Sequence, residues 1–234
     1  MAEGRVLLIT GASSGIGACT ARRAAEAGYR LVLGARREDR ISELADELGG
    51  ADRAIAVRCD VTGWDEVQRI AAAATESFGR LDAVFANAGF GAKRGFLEES
   101  PEHWRSMVLT NVLGVALTIR ATLPTLLESG AGHYVITSSA AGRRPLPGSL
   151  YSATKFAVGA IGESLRQELR QMHENHGIRV TLIEPGMTDT EFFDQRPERA
   201  LADDDIARAV LWAMEQPEGV DVNEVLIRPS GQAN

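Results

Sequence analysis

Short apolar runs alternate with longer amphipathic stretches along the whole chain. Residues 5–10 form an apolar run that stops at a cluster of glycines, the pattern of a strand buried on both faces. Residues 18–28 have helical composition, and residues 29–35 are a second apolar run. The same reading predicts a helix over 37–48, a strand over 54–59, an amphipathic helix over 64–78 and a strand over 81–85. A loop over 90–101 leads into a long helix over 102–128, with Asn111 inside its apolar stripe and a kink expected near Pro124. Strands follow over 132–139, 178–183 and 222–227, helices over 150–172 and 203–215, and an irregular loop over 187–202. The acidic start of the helix at 203 suits the helix dipole. This alternation predicts an α/β fold: one doubly wound parallel sheet of about seven strands, right-handed crossovers, and helices on both faces. No linker, low-complexity tract or composition shift interrupts it, so the expectation is a single domain over residues 1–234.

Composition narrows the function classes. A chain of 234 residues, 44% hydrophobic and 24% charged, has an ordinary globular balance and enough length for an ample core. The net charge of −7 argues against nucleic acid as a partner. Two cysteines, Cys19 and Cys59, make no disulfide framework. The N-terminus lacks a signal-peptide pattern, and no apolar segment approaches the ~18–20 residues of a membrane span, so the protein is expected to be cytoplasmic with no membrane partner. His173 and His176 lie three residues apart without a further ligand cluster, so no metal site is expected.

The chemistry gathers where strands end. Thr10-Gly-Ala-Ser-Ser-Gly-Ile-Gly17 joins the first strand to the first helix, the context a dinucleotide-binding turn requires. Gly11 permits the tight turn, Gly15 lets the backbone approach a pyrophosphate, and Gly17 allows close helix–strand packing. The helix N-terminus then offers N–H groups and a positive dipole end to phosphate. The competing reading is a glycine turn without a ligand. The second strand ends in Arg36-Arg37 with no acid before the pair. Two guanidiniums suit a 2′-phosphate, with Ser14 adding a hydroxyl, so NADP is favoured. The pair could instead cap the next helix, and Glu38 and Asp39 could accept ribose hydroxyls. Asp60 ends the third strand and could accept from an adenine amino group. Asn87-Ala88-Gly89 follows the fourth strand, with small residues beside which a flat cofactor fits. Asn111 in a helix needs partners, from local backbone or elsewhere. Tyr151 and Lys155, four residues apart, share one helix face. An ammonium beside a phenol should lower the phenol's pKa and make it a general acid/base, with Ser139 orienting a substrate oxygen.

These motifs match, in order and spacing, the short-chain dehydrogenase/reductase family, which the chain resembles over nearly its whole length. The resemblance rests on the glycine turn, Asp60, Asn87-Ala88-Gly89, Asn111, Ser139, Tyr151-x-x-x-Lys155 and Pro185-Gly186. It implies a Rossmann domain and a catalytic tetrad of Asn111, Ser139, Tyr151 and Lys155. In that tetrad Tyr151 is the acid/base, Ser139 holds the substrate oxygen, Lys155 lowers the phenol pKa and binds nicotinamide ribose, and Asn111 holds a water linking Lys155 to solvent. It further implies NADP(H) contacts from Gly11, Ser13, Ser14, Gly15, Ile16, Gly17, Arg36, Arg37, Asp60, Val61, Asn87, Ala88, Gly89, Tyr151, Lys155, Pro185, Gly186, Thr188 and Thr190. Two departures stand out. Ala86 replaces a common asparagine, and Ser139 is one residue closer to Tyr151 than the commoner spacing, which Ser138 would restore. Ser139-Ala-Ala-Gly142 keeps the family's Ser-x-x-Gly register, so Ser139 is preferred. The nearest likeness is to bacterial NADP-dependent β-hydroxy acid (serine-type) dehydrogenases, implying a small-molecule carbonyl or alcohol substrate. The apolar residues Val112, Leu113, Val115, Leu117, Phe156, Val158 and Ile161 exceed one stripe per helix, and the resemblance implies a homodimer or homotetramer built on those two helices. Two rivals stay open: a non-catalytic NADP(H)-binding regulator on the same fold, which the complete tetrad disfavours, and enoyl reduction, for which the Tyr–Lys spacing is short. Substrate choice is expected to lie in the loops 90–101, 143–150 and 187–202.

Overall fold

The computed structural model describes residues 4–190 and 199–232. Its strands are β1 (Val6–Thr10), β2 (Arg30–Ala35), β3 (Ala54–Arg58), β4 (Ala83–Ala86), β5 (Gly132–Thr137), β6 (Ile178–Pro185), the two-residue strands β7 (Thr188–Asp189) and β8 (Leu201–Ala202), and β9 (Glu224–Ile227). Seven of them form one parallel sheet in the order β3-β2-β1-β4-β5-β6-β9, while β7 pairs with β8. Helices α1 (Gly15–Glu26), α2 (Glu38–Glu47), α3 (Trp64–Phe78), α4 (Pro101–Val108), α5 (Gly114–Ser129), α6 (Leu150–Gln171) and α7 (Asp203–Met214) flank it. This is the doubly wound arrangement that the alternating pattern predicts.

The central strands β1 and β4 are apolar but for Thr10 because both faces are covered. In β1, Leu7 and Ile9 join the cluster with α1, α2 and α7, whereas Val6 and Leu8 join the cluster with α3, α5 and α6. All four are fully buried, and each such side chain contributes about 1.5–3 kcal/mol. Element ends follow local capping chemistry. Tyr29 precedes β2 because its N–H is taken by Ala24 O at 2.9 Å in the turn after α1. Gly79 and Gly130 end α3 and α5 at φ 73° and 72°, conformations that glycine adopts without steric cost. Ser100 caps α4 by accepting His103 N at 3.1 Å, with Pro101 in the first turn.

Three expectations need correction. Helix α4 continues through a π-helical turn, Leu109–Leu113, into α5 as one helix over Pro101–Ser129. Pro124 lies inside this helix, and a π-helical departure from α geometry that the sequence did not signal lies at Leu109–Leu113. This helix is also long and apolar enough to cross a bilayer by length and composition, with an 18-residue window of mean hydropathy 1.5. Counting unbroken apolar residues missed it, because the threonines and glycine between them lower the mean little. Val115, Ile119 and Leu126 turn its inner side into the core. Finally, the stretch expected as one irregular loop over 187–202 contains the β7–β8 pairing; its residues 191–198 lie outside the described residues.

The sheet order reverses between β1 and β4, where the chain leaves for opposite sides. The crevice at the carboxyl ends of strands about such a switch point is where open α/β sheets bind ligands.

Candidate active site

A cavity of about 880 Å³ opens along those carboxyl ends. At one end lies the glycine turn. Gly11 has φ +68°, and a Cβ there would stand 2.9 Å from Ala88 Cα. A Cβ on Gly17 would stand 2.3 Å from Gly11 O, so the turn packs on itself and on Asn87. Ser14 begins α1 without a side-chain cap, leaving the first-turn N–H groups to the cavity. Arg37 crosses this entrance: its Nε and Nη2 donate to Ser13 Oγ at 3.2 and 3.0 Å, and Nη2 donates to Ser14 Oγ at 2.7 Å. A glycine cradle with no room for side chains, an uncapped helix N-terminus and two adjoining arginines, Arg36 and Arg37, fit a phosphate-bearing dinucleotide.

Asp60 lies at the β3 end of the cavity. Its Oδ1 accepts from Thr62 N at 3.0 Å and from Thr62 Oγ1 at 2.8 Å. Burial works against its charge, but the Thr62 donors, helped by Arg36 and Arg58, hold the carboxyl below its usual range. It is therefore a fixed carboxylate at the edge of the cavity beside Val61.

The other end holds Tyr151. Ser149 caps α6 by accepting Ser152 N at 3.2 Å, which places Tyr151 in the helix's first turn. Ser139 follows β5, and its hydroxyl favours the ionised phenol of Tyr151 against the effect of burial. Its Oγ also approaches Pro185 O at 3.4 Å and accepts Ala141 N at 3.1 Å. Ser138 points away: it is 1% exposed and donates to Lys155 O at 3.1 Å. The two serines differ in place because β5 ends between them, with Ser138 N still paired to Ile183 O at 2.7 Å.

Lys155, 5% exposed, donates from Nζ to Thr137 O at 2.7 Å and lies 5.7 Å from the Tyr151 ring centroid. Burial pulls its ammonium down to about 8, and burial pushes the Tyr151 phenol up to about 12 against the opposing Ser139 hydrogen bond. The sequence expectation of a lowered phenol pKa is thus reversed in this structure. The ammonium is committed to a backbone carbonyl, and the loss of water outweighs its attraction for a phenolate. At neutral pH Tyr151 holds its proton.

Asn111 and Gly17 do not line the cavity, unlike every other expected site residue. Asn111 is 1% exposed; its Nδ2 donates to Phe90 O at 2.9 Å and Thr154 Oγ1 at 3.2 Å, and its Oδ1 accepts Phe90 N at 3.0 Å. It ties the π-helical turn to the strand-end segment and to α6. Asn87 is also a brace: its Nδ2 donates to Thr10 O and Gly11 O at 3.3 and 3.4 Å, and its Oδ1 accepts from Thr137 Oγ1 at 3.0 Å. Through Thr137, whose carbonyl takes Lys155, Asn87 links the glycine turn to the lysine. Small residues close the rest of the wall: a Cβ on Gly89 would meet Asn111 Oδ1 at 3.0 Å.

Sequence reasoning missed two supports. Arg143 Nε donates to both oxygens of Glu184 at 2.8 Å, its Nη2 pairs with Glu224, and Glu184 is 2% exposed. This ties the turn carrying Ser139 to β6 and β9. Gln232 folds back from the C-terminal segment, and its Oε1 accepts Met187 N at 2.9 Å, next to Gly186, Thr188 and Thr190 on the cavity wall. An Arg just past the Ser-x-x-Gly turn and a Glu before Pro185 were a readable opposite-charge pair, but nothing local signals Gln232. Among the described residues there is no cluster of three or more His, Cys, Asp or Glu able to hold a metal. Cys19 and Cys59 are free thiols, both pushed up to about 12 chiefly by burial.

Known proteins share this arrangement. The family model described as short chain dehydrogenase matches residues 5–200. An uncharacterized oxidoreductase of Staphylococcus saprophyticus is 40% identical, covering 98% of this chain and 97% of its own. The solved closed form of a serine dehydrogenase complexed with NADP+ superposes with a TM-score of 0.89 at 32% identity, covering 98% of this chain and 96% of that one. A 3-ketoacyl-(acyl-carrier-protein) reductase from Brucella melitensis complexed with NADH does so with a TM-score of 0.89 at 29% identity, covering 98% and 99%.

Proposed function

Because the chain belongs to the short-chain dehydrogenase family, we propose that it is an NADP(H)-dependent oxidoreductase that interconverts a carbonyl and a secondary alcohol. The observation that carries this reading is that Ser139, Tyr151 and Lys155 line the same cavity as the glycine turn, with the Tyr151 phenol keeping its proton. A bound nicotinamide cofactor supplies or accepts the hydride. Tyr151 gives its proton to the substrate oxygen in carbonyl reduction and takes one back in alcohol oxidation. Ser139 holds that oxygen beside the phenol. The Lys155 ammonium sets the local charge, and Asn111 and Asn87 hold the backbone around it.

The preference for NADP(H) follows from Arg37, preorganised by Ser13 and Ser14, with Arg36 beside it. NADPH should bind more tightly than NADH. Arg36→Asp combined with Arg37→Ala should flatten or reverse that order, because each charge-assisted phosphate contact contributes about 1.5–3 kcal/mol, tenfold or more in affinity. Calorimetric titration with both cofactors checks this, and equal affinities in the unaltered protein refute it. A small β-hydroxy acid is the proposed substrate, in line with the serine dehydrogenase likeness.

We further propose a homodimer or homotetramer. Leu113 and Phe156 remain 41% and 45% exposed beside an open groove of about 1000 Å³ between α3, α5 and α6, whereas Val115 and Val158 are spent on the chain's own sheet.

A further inference from the structure

The cavity is far more positive than the protein. Among the described residues, Arg36, Arg37, Arg94, Arg144 and Lys155 line it against one carboxylate, Asp60, in a chain of net charge −7. Lys155 and the Arg36–Arg37 pair have assigned work. Arg94 and Arg144 do not, and neither guanidinium has an ion-pair or hydrogen-bond partner among the described residues. They come from two loops that meet. Gly95 N donates to Gly148 O at 2.8 Å, and a Cβ on Gly148 would stand 2.7 Å from Gly95 Cα. Leu146 N donates to Ser152 Oγ at 3.0 Å, which draws the second loop onto the first turn of α6 beside Tyr151. Two unpartnered guanidiniums on converging loops thus border the Tyr151 end.

We propose that Arg94 and Arg144 form an anion clamp and that the substrate is an organic anion, its carboxylate or phosphate held by the clamp while its hydroxyl or keto oxygen meets Tyr151 and Ser139. The inference rests on the reaction proposed above and adds the residues that select among alcohols and ketones. A guanidinium pair matches the two oxygens of such a group in plane, whereas an ester or amide leaves both cations without a counter-charge. The Gly95–Gly148 contact works as a hinge pin, because a side chain at Gly148 would push the loops apart.

The test separates binding from turnover. With NADP+ present to fill the Arg36–Arg37 end, non-reacting succinate and inorganic phosphate are titrated while the melting temperature is followed. The unaltered protein should show a saturable upward shift with one of the two anions, and Arg94→Gln with Arg144→Gln should weaken that anion's binding at least tenfold. Succinate alone marks a carboxylate substrate, and phosphate alone a phosphate ester. In parallel, kcat/KM is measured for 3-hydroxybutyrate and its methyl ester; the acid should be preferred, and the double substitution should cut that preference at least tenfold. No shift with either anion, or a shift the double variant retains, overturns the clamp. Ester and acid turned over equally well, both abolished by Tyr151→Phe, overturns the clamp and leaves the reaction standing. A failure of NADP+ itself to stabilise the protein counts against the cofactor reading alone, since the anion titration still reports on the two arginines.

Discussion

Lys155 and Tyr151 are both displaced from their ordinary protonation by the same burial, in opposite directions. For Lys155 the consequence for folding is calculable. Between its folded value of about 8 and the ordinary 10.5, the unfolded chain holds a proton that the folded chain has released, so stability rises with pH through that window. Below it the full penalty persists, about 3 kcal/mol at 1.36 kcal/mol per unit. Lys155→Met removes the penalty but strips Thr137 O of its donor, worth about 1–3 kcal/mol. The variant should therefore be as stable as the parent or more so at pH 7 and less stable at pH 10, as denaturant unfolding at the two pH values will show. A variant equally destabilised at both would mean the lysine is not held in a penalised state. The two serines separate in the same way. Ser139→Ala should lower turnover, while Ser138→Ala should cost about 1 kcal/mol of stability with turnover nearly kept, because it removes only the buried hydroxyl's bond to Lys155 O. The identity of these residues was readable from their spacing. Their protonation was not, since desolvation depends on the walls that distant segments build around them.

At the scale of elements, one ion-pair cluster deserves a direct test. Arg143→Ala would strand the buried Glu184 carboxylate without its guanidinium; because Arg143 is itself 42% exposed, the cost should fall below the about 3–5 kcal/mol of breaking a fully buried pair. Glu224→Gln removes a partner that is 46% exposed and should cost about 1 kcal/mol or less. Burial already raises the Glu184 carboxyl, and losing Arg143 raises it further. Folding then favours the protonated form, so the Arg143→Ala deficit should grow as pH climbs above the ordinary 4.5 and shrink below it. A deficit independent of pH from 4 to 7 would show that Glu184 bears no such burden. The alternation of apolar runs sufficed to place all seven strands of the main sheet. What it could not reveal was the π-helical turn at Leu109–Leu113. Asn111 earns that geometry from Phe90 and Thr154, which a local period does not sense. Element ends slipped by a residue or two for the same reason: Tyr29 and Ser139 look like strand residues but spend their hydrogen bonds on a turn.

For the molecule as a whole, the proposed assembly predicts that light scattering at micromolar protein reports a dimer or tetramer, and that Phe156→Glu lowers the mass toward a monomer; a monomeric parent contradicts the assembly. The central proposal is broader: the glycine-turn end and the Tyr151 end of one cavity serve a single hydride transfer. Its most direct test compares Tyr151→Phe with the parent on a good substrate, following NADPH consumption and, separately, NADPH binding. The substitution leaves the ring and removes only the hydroxyl. Turnover should fall about 10²–10⁴-fold while NADPH affinity stays within a few-fold. Ordinary turnover by the phenylalanine variant would contradict the account.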